Sequence, residues 1–295
     1  MRPERQRLKK PYPMLRIMER ELDPRYEGPV FVWDIDKTYL ETRFSQLKHI
    51  VKIPFEFGVD KQAVPGTIAL LHGLREGKTG REHRPLFFVS ASPPVLELPI
   101  GKKMLLDGVE YDGVSYKDWP RLILRREFTQ VKEQVGYKLA ALLMLYRDLP
   151  AGCRFHLFGD DAEKDALAFA LFADVAAGRV RGRALHDTLV VGGTEHHYAE
   201  EIASLAEPLP ERECVERIYV HLIRQPGGES IAEFGAGVLG CPTFFAAAKV
   251  LHTEGLLSDQ SLESVRQAAP DGEGIFGKAP ADDTGYWCPH RYLVL

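Results

Sequence analysis

The chain has 295 residues, 45% of them hydrophobic and 27% charged, enough to bury one large α/β domain or two small ones. A net charge of −4 and a pI near 6.2 give no general pull toward nucleic acid or an anionic membrane. No apolar run reaches bilayer-spanning length, and the four cysteines form no C-x-x-C pair, which argues against a zinc site or disulfide framework and for a reducing, cytoplasmic setting.

The N-terminal stretch "MRPERQRLKKPYPML" is basic with no apolar segment after it, so no secretory signal is expected. Residues 1–27 read as an extension ahead of a single domain over 28–295. Within that domain "PVFVWDI" (29–35) has the short, apolar, β-rich character of a buried strand, entered through Gly28-Pro29. A helix is predicted over 63–77, ending at glycine, and a second strand over 84–92, "RPLFFVSAS". A weaker strand follows at 113–119. The amphipathic run 136–150 is helical and stopped by Pro150, and "CRFHLFGDD" (153–161) is the third apolar strand. An alanine-rich helix over 165–178, extra helical material over 179–212, a strand over 215–223 and a helix near 243–254 complete the pattern before a Gly/Pro/Asp-rich tail. Strands alternating with helices predict an α/β fold: a mostly parallel sheet with helices on both faces, its polar residues delivered at the carboxyl ends of the strands.

Asp34, Asp36 and Thr38 form D-x-D-x-T at the first of those ends. A turn needs one capping carboxylate; two repel each other and call for a cation. In a functional arrangement Asp34 is a nucleophile toward phosphorus and a metal ligand, Asp36 a general acid and then base, and Thr38 a brace for the loop. An anionic nucleophile attacking an anionic phosphate requires a neutralising ion, and oxygen ligands favour Mg²⁺. Ser90, at the end of the second strand, offers a hydroxyl to phosphate oxygens. "FGDDAEKD" offers Asp160, Asp161 and Asp165 to a metal shell; the plainer reading of Gly-Asp-Asp is a helix N-cap.

The order D-x-D-x-T, strand-Ser, Lys, G-D-x-x-x-x-D resembles the haloacid dehalogenase-like (HAD) superfamily of phosphohydrolases that use an aspartate nucleophile. Within it, "DIDKT", "FFVSASPPVLELP" and "LFGDDAEKD" are similar to the catalytic domain of the phosphatidate phosphatase family of fungi and bacteria, over about residues 28–175. The resemblance implies a HAD-like doubly wound core and Mg²⁺ as cofactor. It implies that Asp34 is the nucleophile and Asp36 the acid/base, with Ser90 binding phosphate beside Thr38, Ala91 and a lysine. It further implies a metal shell of Asp34, Asp36 and Asp160, with Asp161 and Asp165 in its outer part. Lys138 stands 22 positions before Asp160, as the resemblance implies, and Lys132 is its competitor. Lys37 stands where the family has a second acid and Ala91 where it has Asn, and the resemblance does not place residues 179–212. Gaps of 56 positions from Asp34 to Ser90 and 48 from Ser90 to Lys138 leave room for a small cap or none, as in enzymes acting on bulky phosphoesters.

The function expected is therefore that of a phosphatase acting on a phosphorylated lipid or small molecule, with phosphatidate ahead of a sugar phosphate or phosphoprotein. The rival is a catalytically idle fold that binds a phospho-ligand. Peripheral membrane contact is left open; a nucleic-acid partner is not expected, and the oligomeric state is not addressed. His196-His197 read as an exposed helix start, His156 as a core histidine, and Arg121, Arg125 and Arg126 as a solvated face or a contact for the rest of a phosphorylated substrate.

Overall fold

The computed structural model describes residues 3–41, 62–224, 231–235 and 237–269. Its strands are β1 (Glu4–Leu8), β2 (Met14–Met18), β3 (Glu27–Asp34), β4 (Leu86–Ser90), β5 (Gly113–Lys117), β6 (Gly152–Asp160), β7 (Val215–His221) and β8 (Val238–Cys241). Its helices are α1 (Thr67–Glu76), α2 (Glu97–Leu106), α3 (Trp119–Leu124), α4 (Phe128–Lys132), α5 (Val135–Asp148), α6 (Asp165–Ala176), α7 (Gly182–Val191), α8 (His196–Ala206), α9 (Phe244–Thr253) and α10 (Asp259–Ala268).

The strands lie in one sheet in the order β1-β2-β5-β4-β3-β6-β7-β8. The six from β5 to β8 run parallel, and β1 and β2 are antiparallel additions at one edge. From β3 the chain moves outward through β4 and β5, then crosses back to β6 and continues to β7 and β8. The order therefore reverses at β3, the switch point where open α/β sheets form a crevice outside the carboxyl ends of their strands. The inner strands carry unbroken apolar runs, Val30–Trp33 and Leu86–Val89, because helices cover both faces. Residues of α5, α6, α7 and α8 form the core on one face; residues of α1, α2, α9 and α10 form the core on the other. The helical segment expected over 179–212 is the α7–α8 pair, and it packs on α5 beside the sheet.

An aromatic ladder stiffens the floor of the crevice. Trp33 of β3 stacks on Phe158 of β6 at 4.2 Å between centroids, and Phe158 stacks on Tyr219 of β7 at 4.7 Å. Such pairs add about 0.5–1.5 kcal/mol each beyond the area they bury. The ladder lies one residue below Asp34 and two below Asp160.

Residues 4–18, read from sequence as part of an extension, supply β1 and β2. The signal was hidden because β1 is an exposed edge strand of charged and amide side chains, which blunt an edge without showing alternation. Cys153, Cys214 and Cys241 are buried free thiols; Cys288 lies outside the described residues. No described helix is long and apolar enough to cross a membrane.

Candidate active site

β3 ends in a tight loop rather than running on. Lys37 takes a left-handed backbone conformation (φ 65°), its N–H donates to the Leu40 carbonyl at 2.7 Å, and the Tyr39 and Leu40 N–H groups donate back to the Ile35 carbonyl. The His221 ring nitrogen lies 3.4 Å from the Lys37 carbonyl and supports the turn from β7. The loop buries Asp34, Asp36 and Thr38 together.

Beside it, β6 delivers Asp160, and the first residue of α6 is Asp165. Gly159 is required between strand and cluster: a Cβ there would come within 2.5 Å of the Asp165 side chain. Asp160 Oδ1 accepts from the N–H groups of Ala162 (2.6 Å) and Glu163 (2.8 Å), so it caps the turn while its other oxygen faces Thr38 Oγ1 at 3.4 Å. This aspartate therefore closes the turn ahead of α6 rather than capping the helix itself, whose N-cap is Lys164. Carboxylate oxygens of Asp34, Asp160 and Asp165 all lie within 4.8 Å of one another.

Lys138, in the first turn of α5, is fully buried among them. Its Nζ is 2.8 Å from Asp34 Oδ1, donates to Glu163 Oε2 at 3.1 Å, and donates to Asp165 Oδ1. Lys132 is exposed at the end of α4, so of the two lysines only Lys138 meets the carboxylates. Lys37, anomalous in sequence, brings its Nζ to 3.9 Å from Glu163 Oε1 and adds a second positive charge to the group.

Asp36 stands slightly apart, outside the three converging carboxylates. Its Oδ2 accepts from Ser92 Oγ at 2.6 Å and from Ser90 Oγ at 3.3 Å, and the Ser92 N–H donates to Ser90 Oγ. Asp161, expected in the outer part of the metal shell, stands next to the cluster in sequence with its carboxylate on the loop after β7. Its carboxylate accepts from the N–H groups of Ile223 and Arg224 and so ties down the loop after β7, because side chains of successive residues at a strand end diverge. Ala91 offers no side-chain donor, and its carbonyl accepts from Trp119 Nε1 at 2.7 Å.

Five carboxylates (Asp34, Asp36, Asp160, Glu163 and Asp165) thus face the two ammonium groups of Lys138 and Lys37. Burial pushes Asp34 well above the usual carboxylate range; Lys138 pulls it back, and Asp165 and Glu163 push it further. Burial with Asp165 and Glu163 pushes Asp160 up to about 8. Burial alone would strip Lys138 of its proton, but Asp165, Asp34 and Glu163 outweigh it and hold the ammonium charged. Neither oxygen of Asp34 accepts a hydrogen bond among the described residues. Carboxylates in excess of positive charge fit a hard divalent cation such as Mg²⁺.

A family model described as "Phosphatidate phosphatase APP1, catalytic domain" matches residues 30–187, more than half of the chain. The chain belongs to this family. The matched stretch runs from β3 into α7 and contains every carboxylate of the cluster together with Ser90, Ser92 and Lys138. No curated protein and no solved structure matches the chain.

Sequence reasoning missed four residues here. Ser92 lies in the Ser-x-Ser-Pro run after β4, but only the fold puts its hydroxyl on Asp36. Glu163 lies in "EKD", three residues after Asp160, where one helical turn brings it back to the cluster. His221 had no local signal. Lys117, buried at the carboxyl end of β5, donates to the carbonyls of Val131 and Glu133 and so fixes the turn that opens α5; burial lowers its pKa to about 8.

Proposed function

We propose that this protein is a Mg²⁺-dependent phosphatase with a HAD-like doubly wound core, hydrolysing phosphatidate through an aspartyl-phosphate on Asp34. The observation that carries the reading is the convergence of buried Asp34, Asp160 and Asp165, three carboxylates at the ends of neighbouring elements, around the buried ammonium of Lys138. Family membership supplies the substrate class. Asp34 and Asp160 would hold the ion, Asp165 and Glu163 would orient Lys138, and Asp161 would serve the loop instead. When bound, Mg²⁺ neutralises charge and polarises a phosphoryl oxygen.

The chain's own residues perform the rest. Lys138 and the Ser90 hydroxyl hold phosphoryl oxygens, and an Asp34 oxygen forms a bond to phosphorus as the bond from phosphorus to the leaving alcohol breaks. Asp36 gives its proton to that leaving oxygen. It then takes a proton from water, whose oxygen attacks phosphorus and releases phosphate from Asp34. The Ser92 hydroxyl on Asp36 keeps the carboxyl in one orientation through both transfers.

The test compares phosphate release from phosphatidate in mixed micelles by wild type and Asp34→Asn, with Mg²⁺ and with a chelator. Wild type with Mg²⁺ is expected to exceed both the variant and the chelated enzyme by at least about 10⁴-fold. Equal rates for Asp34→Asn sink the nucleophile assignment. Turnover of soluble aryl or sugar phosphates with none of phosphatidate sinks the lipid substrate.

A further inference from the structure

The segment 119–132, α3 and α4, joins two parts of the site. It leaves β5 at its carboxyl end, where Trp119 Nε1 is bonded to the Ala91 carbonyl beside Ser90. It returns into α5, which carries Lys138, and Lys117 holds the carbonyls of Val131 and Glu133 on the way.

Its outer side is neither an ordinary polar surface nor a covered core. Ile123, Leu124 and Phe128 are 48%, 84% and 60% exposed. Past the carboxyl ends of β4 and β7, Val95, Leu98 and Ile223 are exposed as well. Six of the nine exposed large hydrophobic residues described thus sit beyond the strand ends that build the crevice, so the apolar surface is concentrated on the catalytic side.

Charge is biased in the same place. Segment 119–132 carries Arg121, Arg125, Arg126 and Lys132 against one acid, Glu127, in a chain whose net charge is −4. Glu127 is itself occupied, accepting from Tyr198 OH at 2.5 Å and lying 3.9 Å from Arg125. Arg126, at the left-handed turn between α3 and α4, and Lys132 make no ion pair among the described residues. An exposed apolar segment that also carries four cations, on an otherwise acidic protein, complements an anionic bilayer: the side chains enter the headgroup boundary and the cations meet lipid phosphates.

We infer that the α3–α4 segment, led by Leu124 and Phe128 with Arg125 and Arg126 beside them, is the surface by which this enzyme seats on an anionic lipid bilayer. Docking there turns the carboxyl ends of the strands, and so the crevice, toward the membrane. This rests on the proposed lipid substrate for its purpose but not for its measurement.

The experiment is sedimentation of the full chain with phosphatidylcholine vesicles, with and without phosphatidylglycerol, an anionic lipid that is not a phosphomonoester. Wild type should pellet with the anionic vesicles and release as salt is raised. Leu124→Ser/Phe128→Ser should bind at least ten-fold less tightly, while turning over a soluble aryl phosphate at the wild-type rate, since both side chains lie outside the core. Arg125→Gln/Arg126→Gln should bind about thirty-fold less tightly, from about five-fold per basic residue near an anionic surface. Circular dichroism of each variant excludes misfolding as the cause. Failure of wild type to pellet, including the case in which it captures an acidic protein instead, overturns the inference, as does pelleting of both variants like wild type. Anionic-vesicle binding without release of phosphate from phosphatidate sinks the substrate reading and leaves the docking surface standing. Turnover of monomeric short-chain phosphatidate without vesicle binding does the reverse.

Discussion

Asp112 and Asp34 are buried aspartates beside the same strand, β4, at opposite ends of the sheet. Asp112 sits at the amino end, where its Oδ2 accepts from the Leu86 N–H and from Arg75, and Arg20 Nε lies 2.7 Å from Oδ1. Every negative charge there meets a guanidinium or a backbone donor. Asp34 sits at the carboxyl end among four other carboxylates and two ammonium groups, and accepts no hydrogen bond among the described residues. One aspartate is complete within the fold. The other is crowded with like charge, and such crowding of buried charge is a mark of a site rather than of a scaffold.

Three substitutions bear on this contrast. The largest effect is expected from Lys138→Met, which removes the buried positive charge at the crowded end. Aryl phosphate turnover should fall by at least about 10³-fold, read by steady-state kinetics on folded protein. Retained turnover would mean that the cluster around Asp34 is as structural as the one around Asp112. At the other end, Asp112→Asn leaves Arg75 and Arg20 without their anion and should cost about 3–5 kcal/mol in urea unfolding, with kcat unchanged. Lost kcat at full stability would erase the distinction between the two ends.

The third substitution, with its smallest effect near neutral pH, concerns His156, midway along β6 and buried against Phe31 at 5.5 Å between centroids. Burial, with Arg217 and Arg84 nearby, lowers its pKa to about 3, so the folded chain holds it neutral. Below the ordinary value near 6.5 the unfolded chain takes a proton that the folded chain refuses. Its contribution is present above pH 6.5 and is lost at about 1.4 kcal/mol per pH unit as pH falls toward 3. Unfolding midpoints measured across that range should show the decline in wild type and a shallower one in His156→Leu. Identical slopes would show that His156 is not the source of the decline; the cluster carboxylates, raised by burial, act in the opposite direction.

Much of the parallel core was legible from local pattern. β3, β4 and β6 each announce themselves by a short apolar run ending in a polar residue, and α5 and α6 by their spacing and their stops. β1 was not legible, because an edge strand is stabilised by its partner rather than by its own alternation. β8 has four residues, too few for a period to register. The site divides along the same line. Asp34, Asp36, Ser90 and Asp160 stand at strand ends and could be found from them. Asp161 could not be told from its neighbour, since both are aspartates after an apolar strand and only the direction of the side chain separates them.

By itself the sequence determined where the inner strands end, which residue types stand at those ends, and that a cation and a phosphoester suit them. Periods of two and 3.6 residues and the cost of crowded carboxylates are local properties, present in any short stretch. Only the tertiary structure decided that Lys138 rather than Lys132 meets Asp34, that Ser92 holds Asp36, that Asp161 serves a loop, and that Lys37 turns back to Glu163. Those partners lie up to 126 positions apart and are brought together by parallel strand pairing, which no local pattern encodes.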